Sequence, residues 1–447
     1  MSRKLNQVMQ NSGIILTSVC RNPILPDLMI DSRRFWIGLV FSLVAGGSDY
    51  SQSLLITNIS HPSSGGIALG WSSTAPRYVV ARSPSLAPDS FQYTGPVLST
   101  NQTLLTNDST ISFYRVSEVI VVDFPDPNLR KAVTNAIMNW YEPRNLVYDI
   151  DLKGITTLSC SSRAITNDSG LSALSDLTYL SCYNNQLASL NLTGCTNLST
   201  LYCYNNLLSN LNLAGCASLG TLSCYSNLLP NLNLTGCTKL SWLSCWANQL
   251  TNLNVTGVAH LSDLDCSRNQ LTYLNLTGCV SLRTLYCYEN QLTNLAQAGL
   301  TRLNDLDCSE NQLTSLNLAD CVGLSWLSCW ANKLTSLDSS GLAALSALDC
   351  SENQLASLNL AGCTNLSTLY CYNNQLTNLD VTGCPRLTLV DCSSNRLTDL
   401  SELVTNAARG CLGVGDTVWL GGNPLSEFAV TNQIPFLESA GVTVYYP

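Results

Sequence analysis

Leucine returns on a fixed interval through the middle of this 447-residue chain, and that interval leaves few folds open. From about Ile155 to Leu403 the sequence aligns on a period of 21. The stretch 198–218, LSTLYCYNNLLSNLNLAGCAS, shows the unit, L-x-x-L-x-C-x-x-N-x-L-x-x-L-x-L-x-x-C-x-x. About a dozen copies follow one another, and the first, from Ile155, is 22 residues long. A unit this short cannot bury its own apolar face. Neighbouring units must stack, and the array then grows in one dimension rather than dividing into domains of ordinary size.

A longer period overlies the short one. SWLSCWANQL at 241–250 returns as SWLSCWANKL at 325–334, and LSTLYCYNN at 198 returns at 282, as LRTLYCYEN, and at 366. The spacing is 84 residues, four units. Tandem duplication of a four-unit block accounts for the repeated tryptophans without a ligand.

Strand alternation sorts each unit. In L-x-x-L-x-C the cysteine points to the same side as the leucine before it, which is inward. Twelve cysteines from Cys160 to Cys392 occupy this sixth place, and seven from Cys195 to Cys384 occupy the nineteenth. Three readings of these ladders stand side by side. The thiols are small buried hydrophobes, or some bridge between turns, or they ligate metal. The last lacks C-x-x-C spacing. Val258 in the nineteenth place favours packing, because a valine neither bridges nor ligates.

The unit resembles the leucine-rich repeat, specifically the 21-residue bacterial class whose unit is nested. The resemblance implies a mainly β solenoid of parallel strands with few helices, carrying two short strands per turn. It also implies that the asparagines from Asn185 to Asn395 point inward and bond the backbone of adjacent turns. Residues 404–447, with their GNPLS turn, resemble the C-terminal cap of bacterial leucine-rich repeats.

The flanks read differently. Residues 123–154 open with Asp126-Pro127, a helix start; Leu129, Val133, Ile137 and Trp140 then fall on one face of a capping helix. Residues 52–118 alternate short apolar runs with turns and resemble a small fibronectin type III-like β module, with Trp71 and Tyr114 in its core. Arg33 and Arg34 before Phe35–Ala45 match a signal peptide over 29–51. That reading places the true start at Met29 and makes residues 1–28 a mis-assigned upstream segment, and no further apolar span follows.

Charged residues make up only 11% of the chain and the net charge is −9. A nucleic-acid partner, which needs a basic stripe, is not expected. With His61 and His260 the only histidines, neither histidine catalysis nor a multi-histidine metal site is expected, and no cofactor is implied.

Function is then expected on the outward places of the first strand, a face about 50–60 Å long at about 4.8 Å per turn. The candidate binding residues are Tyr202, Tyr204, Tyr225, Trp242, Trp246, Asp263, Asp265, Tyr286, Tyr288, Asp305, Asp307, Trp326, Trp330, Asp349, Tyr370 and Tyr372. Rigid exposed aromatics favour recognition; stacking of turn on turn is the alternative use for them. The expected role is a non-enzymatic, secreted or surface protein that binds or adheres to a protein partner. A polysaccharide partner, with rings stacked on sugars, is the alternative. Asp263 and Asp265 share a strand face, but an open sheet should leave them solvated, as surface charges or a weak Ca²⁺ site rather than an acid–base pair.

Overall fold

The structure is a computed structural model that describes residues 120–137, 146–295 and 299–446, together with the backbone of eight strands between 26 and 118. The chain divides into two compact units, 1–122 with 146–151, and 123–145 with 152–447.

The first unit is antiparallel. One sheet runs in the order Trp36–Phe41, Pro26–Asp31, Ser112–Glu118, Tyr78–Ser83, Gln92–Tyr93; a second holds Leu55–Ser60, Ile67–Ser72 and Gln102–Leu105. Strands lie in each alternating run expected of 52–118, and Gln102–Leu105 adds one that the alternation did not mark. Trp36–Phe41, inside the expected leader, pairs with Pro26–Asp31 along its whole length. The side chains of Trp71 and Tyr114 lie outside the described residues, as does Trp140.

The second unit is the repeat array with its flanks. Twelve three-residue strands, from Thr157–Ser159 to Leu389–Asp391, lie parallel and in register. Two more, Thr417–Trp419 and Thr443–Tyr445, extend the sheet to 14 strands. Each repeat strand occupies the third to fifth places of its unit. The register follows from the side-chain period: a slip of one residue would turn the central leucines outward. Leu201, Leu222 and Leu285 are fully buried, and so are Cys203, Cys224 and Cys287 beside them.

Past the cysteine the chain must turn sharply to begin its return. The eighth residue does this in the left-handed region, with φ between 49° and 55° at Asn184, Asn205, Ala247, Arg268, Glu310, Ala331 and their equivalents. The ninth residue, the ladder asparagine, satisfies the backbone this turn leaves bare. Asn206 Nδ2 donates to Cys182 O at 3.1 Å in the previous turn, and to Cys203 O at 3.1 Å and Tyr204 O at 3.3 Å in its own. Its Oδ1 accepts from Leu187 N at 3.1 Å. Buried backbone groups left without partners cost about 1–3 kcal/mol each, so one asparagine per turn removes a penalty that would otherwise accumulate along the array.

The described cysteines of both ladders are unbridged and buried. Burial pushes the Cys224 thiol up to about 12 and raises the Cys237 thiol. The second ladder also does polar work that the spacing did not reveal. Cys195 Sγ donates to Leu171 O at 3.4 Å, Cys216 Sγ to Leu192 O at 3.6 Å, and Cys363 Sγ to Ser339 O at 3.2 Å, each one turn back.

A second strand in every turn was expected. It forms only in pairs, Ser189–Asn191 with Asn210–Asn212, Asn252–Asn254 with Tyr273–Asn275, and Ser336–Asp338 with Ser357–Asn359. One interruption has a plain cause. Ser209 N donates to Ala188 O at 2.9 Å at the head of the first pair; the equivalent residue one turn on is Pro230, which has no N–H to give.

Both ends of the array are closed by residues that imitate the ladders. The helix Pro127–Ala136 is capped by Asp126, whose Oδ1 accepts from Asn128 N and Leu129 N while Oδ2 accepts from Thr166 N at 2.8 Å in the first turn. Leu129 and Val133 are fully buried, but the helix stops at Ala136, and Ile137 already has extended backbone rather than continuing the helical face. At the other end Asn423, in the GNPLS turn, acts as a further ladder asparagine, accepting from Leu397 N at 3.0 Å and donating to Cys392 O at 2.9 Å. Asn406, on the helix Ser401–Ala408, donates to Val381 O at 2.9 Å. That carbonyl is one turn on from Leu360 O, the acceptor of the Cys384 thiol.

Candidate recognition face

The in-register strands carry all sixteen candidate residues to one side of the 14-stranded sheet, in the third, fifth and seventh places of their units. The two halves of this side differ in chemistry. From Tyr179 to Ala247 the third, fifth, seventh and eighth places hold no charge. From Asp263 to Asp391 the same places hold Asp263, Asp265, Glu289, Asp305, Asp307, Glu310, Asp349, Glu352 and Asp391 against one base, Arg268.

In the uncharged half the seventh places form a continuous stack. Tyr183, Tyr204, Tyr225 and Trp246 follow one another at 4.5, 4.4 and 4.6 Å between ring centroids, with interplanar angles of 4°, 9° and 12°. Tyr202 lies edge-on to Tyr179 at 5.9 Å. Beneath this layer Ser223 is buried and its hydroxyl has no partner; its sheet neighbours are Tyr202 and Ser244. Trp242 is the most open of the four face tryptophans, 37% exposed. Stacking, weighed against recognition, is therefore one real use of Tyr204, Tyr225 and Trp246.

The acidic half is built on alternation. The seventh place reads Ser267, Tyr288, Ser309, Trp330, Ser351, Tyr372 and Ser393, so large rings stand two turns apart with a serine between. Each of these serines binds the aspartate two residues earlier. Ser267 N donates to Asp265 Oδ1 at 3.1 Å and its hydroxyl to the same oxygen at 2.5 Å. Ser309 binds Asp307, and Ser351 binds Asp349, in the same way. Tyr286 reaches Trp326 edge-on at 6.4 Å, spanning the turn that carries Asp305 and Asp307.

Partial burial of Asp265 corrects the expectation that it is a solvated surface charge. Asp265, Asp307 and Asp349 are half-buried, and burial raises each above the ordinary carboxylate range, against the pull of the serine hydroxyl and amide that accompany it. Burial raises Tyr286 as well, with Asp305, Asp307, Asp265 and Asp263 adding charge around it. Asp263 is held by Ser262 Oγ at 2.5 Å. Among the described residues no group of three or more histidine, cysteine or acidic side chains is placed to hold a metal ion.

The eighth places are functional candidates that attention to the strand alone passed over. Arg268 lies with its guanidinium carbon 5.7 Å from the centroid of the Tyr288 ring, and its Nε is 2.8 Å from Glu289 Oε1. Glu310 and Glu352 are exposed. The signal was available in the sequence, as three acids and an arginine recurring in the eighth place, directly after a serine at Arg268, Glu310 and Glu352 and after a tyrosine at Glu289. The face also runs past the repeats: Trp419 stacks on Tyr445 at 5.4 Å on the two closing strands.

A family model described as Leucine Rich repeats (2 copies) matches residues 364–405. No curated protein matches the chain. Among solved structures it is similar to the functional domain of InlJ from Listeria monocytogenes, described as including a cysteine ladder. The identity is 25%, with 67% of this chain and 81% of that one covered and a TM-score of 0.41. It is similar to the internalin InlF of the same organism at 20% identity, 72% and 95% coverage and a TM-score of 0.49. A TDR receptor matches at 21% identity over 62% of this chain and 53% of that one, with a TM-score of 0.50, a likeness of fold alone. With its 21-residue period, parallel sheet and inward asparagines, the array is a leucine-rich-repeat solenoid of mainly β structure.

Proposed function

We propose that this is a non-enzymatic bacterial binding protein, secreted or held at a cell surface, that recognises or adheres to a protein partner through the outward side of its solenoid sheet. The observation that carries this reading is the fixed presentation of aromatic and carboxylate side chains on a sheet whose every turn is tied to the next. Rigid aromatics offer large contact area at small entropic cost. Residues 29–51 serve as the leader from a start at Met29, the β module of 52–118 as a spacer, and 123–154 and 404–447 as caps. No helix among the described residues is long and apolar enough to cross a membrane.

The test is capture of extracellular and surface proteins by the full chain and by a variant with Trp242, Trp246, Trp326 and Trp330 changed to alanine. Loss of at least about tenfold in affinity for the captured partner is expected, the sum of a few truncated contact residues. Capture that survives all four changes would remove the face from consideration. Mass spectrometry of the mature amino terminus tests the leader. A carbohydrate partner is a second reading, favoured by the open ring of Trp242, 37% exposed on the outward side, on which a sugar ring would stack. A glycan array without enrichment would discard it.

A further inference from the structure

We propose that the acidic half of the face docks a segment of a basic protein in polyproline II conformation, with arginines at every third residue lying beside Trp330 and Tyr372. This rests on the recognition reading above and names the partner chemistry of the same face.

The chain itself supplies the pattern. Arg268 stands one residue past the serine of an Asp-x-Ser turn. It places its guanidinium over the ring of the following turn, Tyr288, and pairs with Glu289. The same Asp-x-Ser turn recurs at Asp307–Ser309 and Asp349–Ser351, each followed by a ring, Trp330 or Tyr372. There the residue corresponding to Arg268 is Glu310 or Glu352. Those two places keep the ring and hold one carboxylate each, in the turn before it, because Ala331 and Asn373 stand where Glu289 does, and they carry no cation of their own. A guanidinium is the group that both stacks on a ring and forks to a carboxylate; an ammonium does only part of this.

Spacing selects the backbone of the partner. The two places are two turns apart, about 9.6 Å at the usual strand separation. A polyproline II helix returns to the same side every three residues, about 9.3 Å. A β-strand returns every two residues, about 6.8 Å, and its third residue faces away. Arg-x-x-Arg on a polyproline II segment therefore meets both rings, continuing the row that Arg268 begins.

The probe is an end-capped peptide of three Arg-Pro-Pro triplets, titrated into the full chain at low salt and followed by tryptophan fluorescence and by heat. An isomer with its arginines adjacent and a Lys-Pro-Pro version are the controls. The spaced arginine peptide should bind about tenfold tighter than its isomer and more tightly than the lysine version, the difference growing from ring stacking. Trp330→Ala, and Glu310→Gln with Glu352→Gln, should each weaken it by about fivefold or more. Tyr273→Ala, 57% exposed on the strand Tyr273–Asn275 outside the 14-stranded sheet, should leave it unchanged, and circular dichroism checks that each variant keeps its sheet. Equal binding of the spaced and adjacent isomers would overturn the proposal, as would indifference to Trp330→Ala. If peptide spacing proves irrelevant while partner capture is still lost in the four-tryptophan variant, this inference fails and the recognition reading stands. If capture is also indifferent, both fall.

Discussion

Asp265, Asp307 and Asp349 face outward yet are partly removed from water, and their ionisation works against the fold. Their folded pKa values lie above the unfolded carboxylate value. The native chain therefore holds extra protons between the two, and the stability contributed by these groups falls as pH rises through that window. Asp126, Asp380 and Asp399 have the opposite sign: each is held low, so each loses stability as pH falls through its folded value. The difference between wild type and Asp307→Asn isolates the first effect. The variant should melt higher at pH 7, and the gap should narrow as pH falls through the window between the raised folded value of Asp307 and the ordinary carboxylate value. A gap that stays constant from pH 7 to 4 in circular-dichroism melts would contradict this account. Strand alternation put Asp307 on the outer side, which was legible in the sequence. Its burial was not, because Tyr286 and Trp326 come from the turns on either side and meet only once the solenoid is wound.

Each turn spends one residue in the left-handed region, and the sequence fills that place with side chains that dislike it unequally. Asparagine at 184, 205 and 373 tolerates the conformation; Ala331, at φ 51°, does not. Ala331→Gly should raise the unfolding free energy by about 0.5–1 kcal/mol, relief of backbone strain less the added entropy of the unfolded chain. Urea titration reads this directly, and a loss of stability would mean that the alanine methyl packs better than its backbone is strained. The period of 21 announced the first strand of every turn, because inward leucine and cysteine leave it one register. The second strand was announced for every turn but forms in pairs. There, pairing depends on single backbone donors, and one proline is enough to end it.

At the scale of the molecule the sulfur content sorts by depth. Burial pushes the thiols of Cys160, Cys224 and Cys392 up to about 12, while Cys411 is partly exposed. Thiolate is the reactive form, so the ladders should be inert while the solenoid is intact. Iodoacetamide at pH 8 should label Cys411 in the undenatured chain and the nineteen ladder cysteines only after urea, as peptide mass spectrometry would record. Early labelling of the ladders would mean that the turns separate locally. The inward placement of both ladders was legible from spacing alone. The division of the outward side into an uncharged stack and an acidic half was equally written there, but its meaning emerged only when ring planes, the lone guanidinium and the eighth-place acids were seen together.

Because every strand meets its neighbour in the same register, the joint between any two turns is geometrically interchangeable. Unequal crossing-over between the similar 84-residue blocks would thus return a gene whose product still closes without misfit, shorter or longer by four turns, about 19 Å of sheet. Lineages carrying this gene can lengthen or trim their molecular ruler in single genetic events, while the terminal lids travel unaltered.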